Sequence, residues 1–301
     1  MKETLNLPSP ESASAIFARD PANIGLLEKA CGVRAVARDA FVRLSGPAAG
    51  VAKARQVLLH ILPLVEHGET ITTAEFKRIL SLAAGKEAGA IGEIYGDRIE
   101  VSSPRGFIRP QTPNQKKYVE AIRAHDLVVG IGPAGTGKTY LAMAMGVSAL
   151  LKGEAARLIL ARPARETGEK LGFLPGDMRE KILPYLRPLY DALYDMLDVS
   201  RVRAYEEQGV IEIAPLAYMR GRTLNHAFII LDEAQNTTRE QMKMFLTRLG
   251  LRSRMVITGD VTQVDLPGGE KVSGLVHARS VLKGVEGVAF SSLTEQDVGR
   301  H

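Results

Sequence analysis

Eight consecutive residues constrain this chain more than any others: Gly132-Pro133-Ala134-Gly135-Thr136-Gly137-Lys138-Thr139. They follow a short apolar run, Leu127 to Ile131, and precede the helically spaced stretch Tyr140 to Leu151. A strand that breaks into a glycine-rich turn and resumes as a helix aims several backbone N–H groups at one point, and that point suits a phosphate chain. The spacing G-x-x-x-x-G-K-[ST] adds Lys138 as a point charge for the β and γ phosphates and the Thr139 hydroxyl as a ligand for Mg²⁺. Gly132, Pro133, Ala134, Gly135, Thr136, Gly137, Lys138 and Thr139 are therefore the expected nucleotide-binding residues, with ATP and Mg²⁺ as cofactors.

A nucleotide site that does chemistry needs a second half. Phe228-Ile229-Ile230-Leu231-Asp232-Glu233 ends an apolar run in an acidic pair, which places Asp232 at a strand's carboxyl end, where it can orient a magnesium-bound water. Glu233, directly after it, is the expected general base for an attacking water, and its presence favours hydrolysis over transfer to a small acceptor. A third run, Met255 to Thr258, leads into Gly259-Asp260-Val261-Thr262-Gln263; Gln263 or Thr258 is expected to sense the γ-phosphate.

From Asp126 onward, short apolar runs alternate with helical segments. The runs are Leu127–Ile131, Leu158–Ala161, Val210–Ala214, Ala227–Leu231, Met255–Thr258 and Val288–Phe290. Continuous rather than alternating apolarity implies strands buried on both faces, hence a mainly parallel α/β sheet flanked by helices with functional residues past the strands' carboxyl ends. The N-terminal part reads as a separate small α/β unit. It has a helix over 22–30, short strands over 33–37 and 41–44, a helix over 51–65, and another starting at Thr72, where Glu75 completes a capping box. The expected domains are residues 1–85, a linker over 86–110 rich in Gly, Pro and charge, and the ATPase domain over 111–301.

Composition narrows the class further. The net charge of +5 permits an anionic partner without demanding one. Cys31 is the single cysteine, which excludes an internal disulfide and a cysteine-held metal. Met1 to Ser12 has no apolar core, and the longest mostly apolar run, Leu141 to Leu151, is too short to span a bilayer; a cytoplasmic protein without a membrane partner is expected.

Taken together, the motifs resemble those of the PhoH-like ATPases, whose core is similar to that of superfamily 1 helicases. The resemblance is carried by Arg162-Pro163, Gly168 to Gly176, Pro184 to Asp191, Tyr218 to Leu224, Asp232-Glu-Ala-Gln-Asn236, Thr258-Gly-Asp260, Asp265-Leu-Pro267 and Ser273-Gly-Leu275. It implies a KH-like N-terminal domain, although no Gly-x-x-Gly loop is present around Asp20 to Leu27. It implies RNA as a partner, bound weakly by sequence and mainly through phosphates, with Arg162, Arg220 and Arg222 as candidate contacts and Arg165 and Arg187 beside them. It implies an RNA-processing role, with a ribonuclease as a further partner. Gln115 is the glutamine that reads an adenine edge in helicase-like proteins. Arg300, in Asp297-Val298-Gly299-Arg300-His301, stands where an arginine finger is supplied in trans, which implies a homo-oligomer such as a hexamer. Gly299 departs from the family's valine at that place.

Overall fold

All six apolar runs read from Asp126 onward enter one parallel sheet. The computed structural model describes residues 1–66, 68–84, 91–102, 106–163 and 178–299. These fall into two compact units, Met1–Gly96 and Asp97–His301.

The first unit comprises β1 (Lys2–Asn6), α1 (Pro10–Ala15), α2 (Ala22–Cys31), β2 (Arg34–Arg38), β3 (Phe41–Ser45), α3 (Ala48–Glu66), α4 (Thr73–Ala84) and α5 (Ile91–Gly96). Its sheet is antiparallel in the order β1-β3-β2. The helix–strand–strand–helix order expected over 22–65 is present, and Thr72 and Glu75 exchange the expected capping bonds at 3.2 and 2.9 Å. β1 is not evident from sequence because a strand with one solvated face needs few apolar residues, and Leu5 is its single inward aliphatic side chain. Among the described residues, α3 is the one helix long and apolar enough, by length and composition, to cross a bilayer. Its apolar stripe (Val51, Ala54, Leu58, Ile61) is instead buried in the unit's core with Val42, Leu44 and Phe76.

The second unit opens with a short antiparallel ribbon, β4 (Ile99–Glu100) and β5 (Phe107–Ile108), in the stretch expected to be linker. Then come α6 (Pro113–Ala124), β6 (Leu127–Ile131), α7 (Lys138–Leu151), β7 (Arg157–Arg162), α8 (Met178–Tyr194), α9 (Val199–Glu207) and β8 (Ile211–Pro215). The chain continues through β9 (Ala227–Leu231), α10 (Arg239–Leu246), β10 (Arg254–Gly259), α11 (Gly274–Val281) and β11 (Val288–Ser292). The strand order is β11-β6-β10-β9-β7-β8, and every neighbouring pair is parallel.

Successive side chains of a strand point to opposite faces, so a strand apolar throughout must be covered twice. In β9, Phe228 and Ile230 enter a core shared with residues of α6, α7, α8 and α9, whereas Ala227, Ile229 and Leu231 enter another with residues of α10 and α11. The topology puts β10 between β6, which carries the phosphate loop, and β9, which carries the acidic pair. All three therefore end at the same edge.

Candidate functional site

β6 delivers the loop and α7 receives it. Gly135 and Gly137 adopt φ of +81° and +80°, the left-handed region that a side chain disfavours. A Cβ at Gly132 would lie 2.5 Å from the carbonyl oxygen of Leu293, so the loop's first residue has room only for hydrogen. Lys138 is 8% exposed, and its ammonium donates to the Pro133 carbonyl at 2.7 Å. Burial pulls that ammonium below the ordinary lysine range, and the charges of Asp260, Asp232 and Glu233 pull it back up.

The two halves of the site meet through one oxygen. The Thr139 hydroxyl donates to Asp232 Oδ1 at 2.6 Å, and the Thr258 hydroxyl donates to the same atom at 2.9 Å. Asp232 is 6% exposed and continues the sheet by donating its N–H to the Ala161 carbonyl at 2.9 Å. A hydroxyl and a carboxylate so close form the small, hard oxygen set typical of Mg²⁺, an ion usually completed by water and substrate phosphates. No cluster of three or more acidic, His or Cys ligands exists among the described residues. The donor set fits the ion.

Glu233 adopts φ +54°, an uncommon conformation for a residue with a side chain and one that recurs at functional sites. Its Oε2 accepts from Gln235 Nε2 at 2.5 Å, and Gln235 Oε1 in turn accepts the Asp260 N–H at 3.0 Å. Gln235 therefore joins the candidate base to the end of β10. In sequence this glutamine carries a family resemblance but no role, because the bond it makes lies across the sheet.

Asp260 is also part of this edge. Burial would raise its carboxyl, but the Thr262 hydroxyl and N–H, the Gln263 amide and the Lys138 charge together hold it below the usual range. Gln263 Nε2 donates to Asp260 Oδ2 at 2.7 Å. Of the two expected γ-phosphate sensors, Thr258 is the one bonded to Asp232, while Gln263 is bonded to Asp260.

Gln115 is buried, with both ends of its amide committed. Nε2 donates to the Thr136 carbonyl at 3.1 Å and Oε1 accepts the Gln111 N–H at 2.7 Å. Here it ties the start of α6 to the phosphate loop, the two bonds using one of the amide's two N–H donors and one of its two acceptor lone pairs. Behind it, the Tyr118 hydroxyl is fully buried without a hydrogen-bond partner among the described residues, and burial pushes its pKa far up.

The same end of α6 is clamped from the far end of the unit. Asp297, 2% exposed, accepts from the Thr112 hydroxyl at 2.5 Å, Asn114 Nδ2 at 3.0 Å and the Thr294 N–H at 2.7 Å. Two residues later the Gly299 N–H donates to the Gly135 carbonyl at 3.1 Å, inside the phosphate loop. Nothing local in the sequence signals that this segment is anchored. Arg300 lies outside the described residues, as do Arg165 and the segment 168–176.

The arginines expected to meet RNA divide. Arg162, at the end of β7, has a side chain only 19% exposed, with Nη2 3.2 Å from Glu233 Oε1 and Nε 3.8 Å from Asp232 Oδ2. Its Nη1 donates to the Tyr185 carbonyl at 2.8 Å. Arg222 forms a two-pronged pair with Glu212 at 2.6 and 2.7 Å, and this fork holds the Glu212 carboxyl below its usual range. Both guanidinium groups are engaged inside the unit. Arg220 and Arg187 are exposed.

Comparison with known proteins covers nearly all of the second unit and, with some relatives, the whole chain. The family model described as PhoH-like protein matches residues 107–301. A PhoH-like protein of Mycobacterium tuberculosis is 49% identical over 302 residues, covering 100% of this chain and 85% of that protein. A PhoH-like protein of Bacillus subtilis is 47% identical over 295 residues, covering 98% of this chain and 92% of the relative. Among solved structures, the Sulfolobus solfataricus SWI2/SNF2 ATPase core in complex with dsDNA is similar at a TM-score of 0.33 and 16% identity, over 48% of this chain and 31% of that one, a likeness too slight to extend the argument.

Proposed function

The chain belongs to the PhoH-like family, and from that premise we propose that it is a magnesium-dependent ATPase coupling hydrolysis to the binding or remodelling of RNA. The observation that carries the reading is the shared oxygen: Asp232 Oδ1 receives the hydroxyl of the phosphate-loop threonine at 2.6 Å, with Glu233 next in the chain. Loop and acidic pair are thus one site.

In this reading the loop N–H groups and Lys138 hold the phosphates and stabilise charge on the one being transferred. Thr139 and Asp232 hold Mg²⁺, which supplies charge neutralisation on the phosphate oxygens. Glu233, fixed between Arg162 and Gln235, orients and deprotonates the water that attacks. Thr258, bonded to the same carboxylate as Thr139, links that event to β10. RNA is the proposed partner, with Arg220 as the exposed candidate near the sheet's carboxyl edge. A ribonuclease partner, a homo-oligomeric state and a cytoplasmic location belong to the same proposal.

The test is ATP turnover by the full chain with and without single-stranded RNA, alongside Lys138→Ala. Stimulation by RNA and loss of turnover in Lys138→Ala are expected. Turnover indifferent to RNA removes the coupling, and wild-type turnover in a folded Lys138→Ala protein removes the site assignment.

A further inference from the structure

The sheet of the first unit has one packed face and one bare face. Val42, Leu44 and Ala35 point into the core, so the alternate residues point out. Register fixes what that outer face looks like. Lys2 on β1 and Arg34 on β2 stand either side of Ser45 on β3. One step along, Arg43 on β3 pairs with Val36, and at the next Arg38 pairs with Phe41.

Every outward position on β1 and β2 is exposed, as is Arg43. The grid thus carries Lys2, Arg34, Arg38 and Arg43 and no carboxylate. None of the four makes an ion pair among the described residues. Glu3, the acidic residue of β1, alternates to the other face, where Arg55 meets it at 2.7 Å. Asp39 sits outside the grid, in the turn between β2 and β3. The Arg43 guanidinium lies 5.4 Å from the centre of the Phe41 ring, a flat cation and a flat ring side by side.

We infer that this open face binds a single-stranded nucleic acid through its phosphate backbone. Four cations without compensating acids on a flat, solvated surface create a local positive field that a polyanion neutralises while releasing counterions. Alternate residues along a strand are roughly 6.6 Å apart and neighbouring strands about 4.8 Å apart, so the cations form a lattice that a flexible backbone can follow. Phe41 and Arg43 offer the kind of surface on which a base stacks without regard to sequence. Val36 and the half-buried Phe41 are too little apolar surface for a stable protein interface, which needs an apolar centre. The face shares no residue with the nucleotide edge. It rests on the nucleic-acid part of the proposed function for its ligand and not on the ATPase chemistry.

The test uses the full chain carrying Arg34→Gln, Arg38→Gln and Arg43→Gln together, with oligouridine and oligothymidine strands titrated over a range of salt. These side chains are exposed, so the unfolding midpoint and basal ATP turnover should match wild type. Binding to both strands is expected to weaken on the order of tenfold or more, and the slope of log affinity against log salt to flatten by about 2, near 0.7 for each phosphate no longer held. Arg220→Ala in the same titration separates the two readings. If Arg220→Ala removes binding and the triple variant leaves affinity and slope unchanged, RNA binding stands and this face is overturned. If wild-type protein binds neither strand, both fall. A change in oligomeric state with unchanged strand affinity would assign the face to a second copy of the chain and overturn the inference as well.

Discussion

Arg162 Nη2 lies 3.2 Å from Glu233 Oε1, so the end of the second long parallel strand reaches the candidate base. A guanidinium there fixes the carboxylate proposed as the base that faces the attacking water. Arg162→Ala should lower kcat on the order of 100-fold while KM for ATP changes little, since a loss of alignment near the reacting atoms acts on the chemical step. Arg162→Lys keeps the charge but not the planar fork and should recover only part of the rate. Stopped-flow phosphate release reads both. Unchanged basal kcat together with weaker RNA binding would return Arg162 to the RNA surface.

Glu233→Gln should retain ATP affinity and abolish turnover. The amide fills the same space, but it cannot take the proton from water. Fluorescent nucleotide binding and single-turnover hydrolysis, measured on one preparation, separate the two effects; parallel loss of both would make the glutamate a structural residue.

Lys138 gives a pH dependence with a defined sign. Its folded pKa is lowered by burial, from the ordinary lysine value of 10.5. The unfolded state therefore holds more protons on the alkaline side, and stability rises with pH through that window. The contribution is complete above about 10.5 and is lost as pH falls through the lowered folded value. Lys138→Met should flatten this rise in urea-unfolding midpoints between neutral and alkaline pH. Nucleotide affinity in the wild type should move the opposite way, falling as the ammonium loses its proton. A Lys138→Met protein with the wild-type pH profile would show that the lysine is not desolvated.

Asp297→Ala leaves Thr112, Asn114 and Thr294 with unpaired donors in a buried place. The expected cost is about 1–3 kcal/mol of unfolding free energy, together with a raised KM for ATP because the start of α6 and the phosphate loop lose a shared anchor. Denaturant unfolding and steady-state kinetics check the two halves. Full stability with normal KM would mean that water replaces the clamp without loss.

Mixing Lys138→Ala subunits with Arg300→Ala subunits asks whose site Arg300 serves. The family pattern implies supply to a neighbouring subunit, so activity above the sum of the two mutants is expected, and a mixture that stays at that sum would remove the exchange.

What the sequence makes legible is what lies close along the chain. The octet from Gly132 to Thr139 and the pair Asp232-Glu233 each state their chemistry within a few residues, and continuous apolarity announces doubly covered strands. Arg162 reads as a surface cation because nothing near it in sequence reveals that β7 and β9 are neighbours with Ala161 level with Leu231. Gln235 and Asp297 are invisible as connectors for the same reason. Their partners are fixed by sheet order, and sheet order is a property of the whole unit.

The bond between Asp297 and Thr112 spans 185 residues, and β11 completes the sheet beside the strand that bears the phosphate loop. A chain made from its N-terminus at roughly 5–20 residues per second therefore exposes its phosphate loop for about 10–30 s before the segment that braces it exists. During synthesis the most recognisable part of the protein is an unfinished part. Of the elements that meet at the phosphate loop in the described residues, the brace formed by residues 288–299 is the one made last.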